Sequence, residues 1–291
     1  MRKKSTPELD KLYSEVETYS KSEEYEKLFE FIKKFRHIAP YNAMLIHIQK
    51  PGSRYVATAA EWRRKFNRTI KAGARPLVIL YPFGPVAFVF ELSDTEGKRP
   101  FPEKMLNPLG VKGKVENWHF SRLKDNIKAD GINYREVEYG TARGGSIQIS
   151  QSGLEQSIMR NGKEIRMQIL YDIVTNSNNS LETKFSTIVH ELGHLYCGHL
   201  GTFYPKWWSD RRSLSKNQRE FEAESVCWLV CERLGIKNPS AEYLSGYLDN
   251  NENIPIISID TVLKSASIIE KMIKGTKAPR KEIIVKSYES K

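Results

Sequence analysis

Two histidines and a glutamate with the spacing of a metal site lie in the segment TIVHELGHLYCGHL, residues 187–200. Apolar residues recur around them at helical spacing, so the segment predicts an amphipathic helix. His190 and His194 are four residues apart and project from the same side of that helix, where both imidazoles can bind one zinc ion at about 2 Å. Glu191 between them is placed to take a proton from a metal-bound water. The pattern predicts the H-E-x-x-H arrangement of zinc peptidases.

A third histidine, His199, follows five residues after His194. The longer metzincin pattern would require glycine at position 197 and histidine at position 200, where this chain has Cys197 and Leu200. On a continuing helix, an offset of five residues turns His199 well away from the other two. We therefore expect His199 to be a surface or helix-end residue and not a ligand. The alternative for the whole segment is a helix that contains these residues by chance, which occurs in about 1 chain in 100 of this composition.

A catalytic zinc ion needs a third protein ligand, with the fourth position left for water. The segment SKNQREFEAESVCWLVCERLG, residues 215–235, predicts a second helix with three glutamates in its first half. Glu220 and Glu224 are four residues apart and share a face, whereas Glu222 points away from it. We expect this face to supply one ligand carboxylate and a second carboxylate that holds a ligand histidine by its free N–H. A solvated acidic patch is the alternative.

The composition is that of a soluble globular protein, with 40% hydrophobic and 28% charged residues. The longest apolar run is interrupted by prolines and a glycine and is too short to cross a bilayer, so we expect no membrane partner. No apolar stretch follows the basic N-terminal residues, which argues against a secretory signal. Cys197, Cys227 and Cys231 are odd in number and lie in apolar-periodic segments, which predicts buried thiols in a reducing compartment. We therefore expect a cytoplasmic protein.

The net charge of +11 is distributed unevenly along the chain. Residues 1–150 carry 27 Lys/Arg against 18 Asp/Glu, whereas residues 151–291 carry 19 against 17. Residues 31–90 hold eleven basic residues and one acidic residue, Glu61. A surface with that imbalance repels itself unless an anion is the partner. On charge alone, nucleic acid is the first candidate, and a membrane surface or an acidic protein are the alternatives.

The order of elements indicates an α+β fold with a domain boundary near residues 125–135. The front half is mixed, with two strands, RPLVILY and VAFVFEL, joined by a turn. The back half is dominated by the two helices that carry the candidate site. We expect a basic mixed α/β domain at residues 1–128, a helix-rich metallopeptidase domain at residues 129–276, and a frayed polar tail at residues 277–291.

The combination of motifs resembles a known family. HELGH followed by REFEAESVCWLVCERLGI resembles the metallopeptidase domain of ArdC-type antirestriction proteins and of the broader ImmA/IrrE group. YNAMLIHIQKPGSRYVATAAEWRRKFNRTIKAGARPLVILYP and FVFELSDTEG resemble the ArdC-type single-stranded-DNA-binding domain. The resemblance covers most of residues 10–250, whereas 94–145 and the C-terminal tail match loosely.

The resemblance implies a zincin-like fold for the back half and a role for each matching residue. His190 and His194 match the Zn²⁺ ligands, and Glu191 matches the catalytic glutamate. The acidic helix of the family keeps two carboxylates four residues apart. They match Glu220, as the ligand, and Glu224, as the carboxylate that holds a ligand histidine. As donors that steady the oxyanion we consider Tyr204 and Tyr243.

The resemblance also implies that the basic segment binds single-stranded DNA. Cations would bind phosphates, and a base could stack on Trp62. The alternative is that Trp62 belongs to the core and that the charges form a solvated face. The candidate DNA contacts are Trp62, Arg63, Arg64, Lys65, Arg68 and Lys71.

The leading hypothesis is an antirestriction-type protein of a mobile element that binds single-stranded DNA and cleaves an unidentified protein or peptide. One alternative is a regulatory endopeptidase that cleaves a repressor. Another is a DNA-protecting binding protein whose zinc is structural. Glu191 distinguishes them, because a structural zinc does not need it.

Overall fold

The structure is a computed structural model that describes residues 22–81, 84–106, 115–138, 145–151, 153–236 and 255–289. It contains helices and sheets in both halves, which confirms the predicted α+β class. By their contacts, the described residues before Lys112 form one compact unit and those after it form a second. No helix among the described residues is long and apolar enough to cross a membrane.

The first unit contains four helices and five strands among its described residues. The helices are α1 (Ser22–Lys34), α2 (Pro40–Gln49), α3 (Ala59–Phe66) and α4 (Glu103–Leu106). The strands are β1 (Val56–Ala57), β2 (Thr69–Ile70), β3 (Leu77–Tyr81), β4 (Gly84–Glu91) and β5 (Thr95–Glu96). An antiparallel sheet has the order β1-β4-β3, and β2 pairs with β5. The predicted hairpin of RPLVILY and VAFVFEL is therefore β3 and β4.

Helix α3 anchors a small aromatic core in this unit. It begins at a capping box in which the side chains of Thr58 and Glu61 accept each other's backbone N–H. Trp62 is fully buried, packs with Tyr55, and donates its indole N–H to the carbonyl of Phe90 at 2.9 Å. The proposal that a DNA base stacks on Trp62 was therefore wrong, because this ring has no accessible face.

The second unit contains four helices and six strands among its described residues. The helices are α5 (Asn117–Ile127), α6 (Leu181–Tyr196), α7 (Lys216–Leu234) and α8 (Ile259–Lys274). The strands are β6 (Ile132–Val137), β7 (Gly145–Ile149), β8 (Glu155–Arg160), β9 (Lys163–Gln168), β10 (Tyr171–Asn176) and β11 (Ile284–Glu289). One sheet has the order β6-β10-β7, with β6 parallel and β7 antiparallel to the buried central strand β10. The other has the order β11-β9-β8.

The helices of the second unit pack in a way that brings α6 and α7 together. Helix α6 lies on β7 and β10 and packs along α7, and α8 packs against α5, α6 and α7. In α6 the apolar stripe of Phe185, Ile188, Val189, Leu192 and Leu195 is fully buried. The predicted amphipathic helix therefore turns its apolar stripe into the core.

Two boundaries differ from those predicted. Helix α5 was placed with the front domain but belongs to the second unit, where Asn126 donates to the carbonyls of Met272 and Gly275 at 2.6 and 2.8 Å. The segment after residue 277 is not a frayed tail in its described part, since β11 pairs with β9 and Arg280 bonds Asp130 at 2.7 Å. Both segments are held by partners that are more than a hundred residues away in sequence.

Candidate metal centre

Helix α6 carries two ligand-type side chains on one side. The helix begins at Ser180, whose hydroxyl accepts the backbone N–H of Thr183. One turn apart, His190 and His194 direct their Nε2 atoms towards each other, at a separation of 3.1 Å. The four-residue spacing therefore places two imidazole nitrogens around one point, as the sequence predicts.

The third ligand-type side chain comes from α7. Oε2 of Glu220 lies 3.7 Å from Nε2 of His190 and 3.5 Å from Nε2 of His194. Ligand atoms bound tetrahedrally to zinc at about 2.0–2.1 Å lie about 3.3 Å from one another. The three observed separations of 3.1, 3.5 and 3.7 Å bracket that value. The donor set therefore fits a single small divalent cation.

A close contact between the two helices brings the carboxylate within reach. Gly193, in the middle of HELGH, lies against Ala223 of α7, and a Cβ atom at position 193 would meet the Cα and carbonyl oxygen of Ala223 at 3.1 Å each. Such contacts are tighter than those of ordinary side chains, so the helices approach this closely only because glycine lacks a side chain.

The second carboxylate of α7 supports the first histidine. Oε1 of Glu224 lies 3.4 Å from Nδ1 of His190. Burial alone would lower the pKa of His190, but the carboxylates of Glu224, Glu191 and Glu220 outweigh it and raise that pKa. Glu220 and Glu224 therefore lie near opposite nitrogens of the His190 ring.

Glu191 lines a cavity next to the three donors. The cavity has a volume of about 440 Å³. It is bounded by Ser146 and Ile147 of β7, by Lys216 and Arg219 of α7, and by the site histidines. Burial raises the pKa of Glu191, although the backbone N–H of Ile147 donates to its carboxylate and opposes that shift. A carboxylate whose pKa is raised in this way accepts a proton more readily than an ordinary glutamate does.

Behind His194 lies a set of buried side chains that the sequence analysis did not predict. His199, expected at the surface, is 4% exposed, and its Nδ1 lies 2.9 Å from Nδ1 of His194. Glu222, which does point away from the Glu220 face, is fully buried and lies 2.9 Å from Nε2 of His199. The helical projection failed for His199 because α6 ends at Tyr196, and the chain then turns back through a positive φ at Gly198.

Of the two tyrosines considered as oxyanion donors, Tyr204 is described and is not brought to the site. The hydroxyl of Tyr204 donates to the backbone carbonyl of Glu282 at 3.3 Å, and its ring packs on Trp207. Tyr204 does not line the cavity. Tyr243 lies outside the described residues.

The proposed DNA contacts divide into two groups. Arg68 donates to the hydroxyl and carbonyl of Thr95 at 2.8 and 3.0 Å, and Lys71 donates to the Ser93 carbonyl at 2.8 Å, so both hold the local fold together. Arg63 and Arg64 are exposed on α3. Lys65 is also exposed but lies 2.6 Å from Glu61. Among the proposed DNA contacts, Arg63 and Arg64 at the C-terminal end of α3 are therefore the best placed to bind an anion.

No known family model matches the chain, and neither does any curated protein. Among solved structures, it is similar to the antirestriction protein ArdC from the R388 plasmid, in a metal-free form and in a form bound to Mn(II). The identities are 14% and 13%, and the TM-scores are 0.37 and 0.35. Each match covers 82% of this chain and 86% of the other.

Proposed function

We propose that this chain is a metal-dependent peptidase whose ion is held by His190, His194 and Glu220. The observation that carries the proposal is the triangle of donor atoms, with sides of 3.1, 3.5 and 3.7 Å, beside a cavity lined by Glu191. Two imidazole nitrogens and one carboxylate oxygen are a donor set of catalytic zinc sites, so Zn²⁺ is the ion we assign. Three protein ligands leave a position open, as a catalytic site requires and a closed structural site does not.

The chain's own residues supply the remaining chemistry. When bound, the ion would polarise a scissile carbonyl and acidify a water molecule. Glu191 would accept a proton from the attacking water and pass it to the departing amine. Partial burial raises the pKa of Glu191, which favours its acceptance of that proton. Glu224 accepts a hydrogen bond from Nδ1 of His190 and so keeps Nε2 of that ring directed at the ion.

The test compares Glu191→Gln with wild type in the full chain loaded with zinc. Both proteins are incubated with a mixed library of unmodified peptides, and new termini are identified by mass spectrometry. Because an amide cannot accept the proton, we expect Glu191→Gln to bind one zinc ion per chain and to cleave nothing. Glu182→Gln, on the same helix but away from the cavity, is the matched control and should cleave as wild type does. Cleavage by Glu191→Gln at the wild-type rate would rule out this role.

We also propose that the first unit binds single-stranded DNA and that the whole protein has an antirestriction-type function. The supporting observation is the charge of residues 31–90, with eleven basic residues against one acidic, and the exposure of Arg63 and Arg64. Trp62 cannot stack on a base because it is buried. Phe88 on β4 is 55% exposed. We assign the stacking role to Phe88.

A further inference from the structure

A continuous line of buried hydrogen bonds runs from His194 into the protein interior. Nδ1 of His194 and Nδ1 of His199 are 2.9 Å apart, and Nε2 of His199 lies 2.9 Å from Oε2 of Glu222. The side chains of His199 and Glu222 are 1% and 0% exposed. These two groups are therefore almost fully shielded from solvent, and most of their hydrogen bonds have to be made within the protein.

Three donors fix the charge of the glutamate at the end of this line. Arg211 donates to both oxygens of Glu222 at 2.6 Å, and the backbone N–H of Ser258 donates to Oε1 at 2.8 Å. Arg211 is itself held by the loop after α6, because its backbone N–H and its guanidinium donate to the carbonyls of Gly198 and Cys197. A carboxylate with a bidentate guanidinium partner and further donors is ionised and accepts hydrogen bonds only.

For a neutral His199 this geometry allows one placement of protons. Because Glu222 only accepts, the proton of a neutral His199 sits on Nε2 and is donated to Glu222. Nδ1 of His199 is then an acceptor, so Nδ1 of His194 carries a proton and donates it. Nε2 of His194 is consequently unprotonated, and this is the atom that faces His190 and Glu220.

We propose that His199, anchored by Glu222 and Arg211, is a positioning residue that fixes the tautomer and ring orientation of His194 and keeps its Nε2 free for a metal ion. This inference rests on the metal site of the proposed function and extends it, since it makes the affinity of the site depend on residues that never touch the ion. The side chains of His199, Glu222 and Arg211 thereby hold His194 in place, whereas His190 contacts Glu224.

The same residues are also close enough to be considered as a second metal site. Donor atoms of Cys197, His199 and Glu222 lie within 4.8 Å of one another. Arg211 places its positive charge against both oxygens of Glu222, where a second cation would be repelled. Burial raises the pKa of the Cys197 thiol to about 12, so it is a poor source of a thiolate ligand. The positioning role is therefore favoured over a second ion.

The first test measures zinc affinity of the full chain by competition with a chromophoric chelator. His199→Leu removes the acceptor for His194 and should weaken zinc binding about 10–100-fold. His199→Asn restores an acceptor and should recover most of that loss. Glu270→Gln is the matched control, because it disturbs another buried pair, with Arg233, and neither residue of that pair lines the cavity. Wild-type affinity in His199→Leu, or an equal loss in Glu270→Gln, would overturn the proposal.

The second test needs no metal and therefore separates this inference from the proposed function. In metal-free protein labelled with ¹⁵N-histidine, the ring nitrogen shifts distinguish protonated from unprotonated nitrogens. We expect the Nε2–H form for His199 and the Nδ1–H form for His194. Arg211→Met, which releases the Glu222 carboxylate, should disturb both signals, whereas Glu270→Gln should not. The opposite tautomers would overturn the proposal even if zinc binds, and the expected tautomers in a chain that binds no zinc would count against the peptidase alone.

Discussion

Oε1 of Glu224 lies 3.4 Å from Nδ1 of His190, while Nε2 of the same ring faces Glu220. The two carboxylates, one helical turn apart on α7, therefore meet opposite nitrogens of a single imidazole. This relationship assigns them different tasks, because one can bind the ion directly and the other can act only through the histidine.

The different tasks predict different losses of metal affinity. Glu220→Ala removes a ligand and should abolish tight zinc binding. Glu224→Ala removes a hydrogen-bond partner of His190 and should weaken binding about 10–100-fold. Isothermal titration of zinc into metal-free protein measures both. A smaller loss in Glu220→Ala than in Glu224→Ala would reverse the assignment.

The buried Glu222 predicts a pH dependence of stability. Burial alone would raise the pKa of Glu222, but the hydrogen bonds from His199, Arg211 and Ser258 hold it below its usual value. A carboxyl group with a lower pKa in the folded state stabilises the fold above its unfolded pKa of about 4.3, and this contribution is lost as the pH falls through the folded pKa. Glu222→Gln should therefore be less stable than wild type at pH 7.

The difference between these two proteins should shrink as the pH falls below about 4. Urea denaturation of both at several pH values measures it. A constant difference in the free energy of unfolding from pH 7 to pH 3 would show that ionisation of Glu222 does not contribute.

The buried indole of Trp62 predicts a large effect on stability. Trp62→Ala leaves a cavity in the first unit and should lower the free energy of unfolding by about 3–5 kcal/mol. It also leaves the carbonyl of Phe90 without its indole partner. Trp118, 49% exposed, provides the control, and Trp118→Ala should change stability by about 0.5 kcal/mol or less. Equal effects of the two substitutions would contradict the position of Trp62 in the core.

The affinity for single-stranded DNA should have an electrostatic contribution, which depends on salt, and a stacking contribution, which does not. Affinity for a labelled single-stranded oligonucleotide should fall with salt at a slope of roughly −0.7 per phosphate contacted. Arg63→Ala combined with Arg64→Ala should reduce both affinity and that slope. Phe88→Ala should reduce affinity for single strands and leave the slope unchanged, because stacking releases no counterions. Fluorescence anisotropy of the full chain at several salt concentrations measures this.

Conservative controls make the DNA experiment decisive. Arg63→Lys combined with Arg64→Lys retains the charge and should retain the slope, whereas Lys65→Ala should have a smaller effect because Lys65 is paired with Glu61. Binding that does not respond to salt, or that is unchanged in the Arg63→Ala, Arg64→Ala protein, would show that these cations serve another purpose.

The parts of the site that could be predicted from sequence are those set by a single helix. The positions of His190 and His194 follow from helical periodicity within α6, and the shared face of Glu220 and Glu224 follows from the same rule within α7. The contact between the two faces depends on how α6 and α7 pack in the folded protein. The sequence indicates it only indirectly, because a catalytic zinc ion needs a third protein ligand.

The parts that could not be predicted depend on where the chain reverses or on distant partners. His199 returns to His194 because the helix stops and Gly198 turns the chain, which a helical projection does not contain. Trp62 lies between charged residues in the sequence, so its burial depends on Tyr55 and Phe90 from other segments. Strand β11 pairs with β9, which lies over a hundred residues earlier.

The contact between Gly193 and Ala223 makes the candidate metal site depend on the absence of a side chain at position 193. A Cβ atom at this position would act as a wedge and force the helices apart by a few tenths of an ångström. Metal–ligand distances tolerate only about 0.2 Å. A residue without any chemistry of its own thus sets how closely the two ligand-bearing helices approach. In a sequence that keeps both histidines and both glutamates, a larger residue at this position requires Ala223 to move before the donor atoms can keep this spacing.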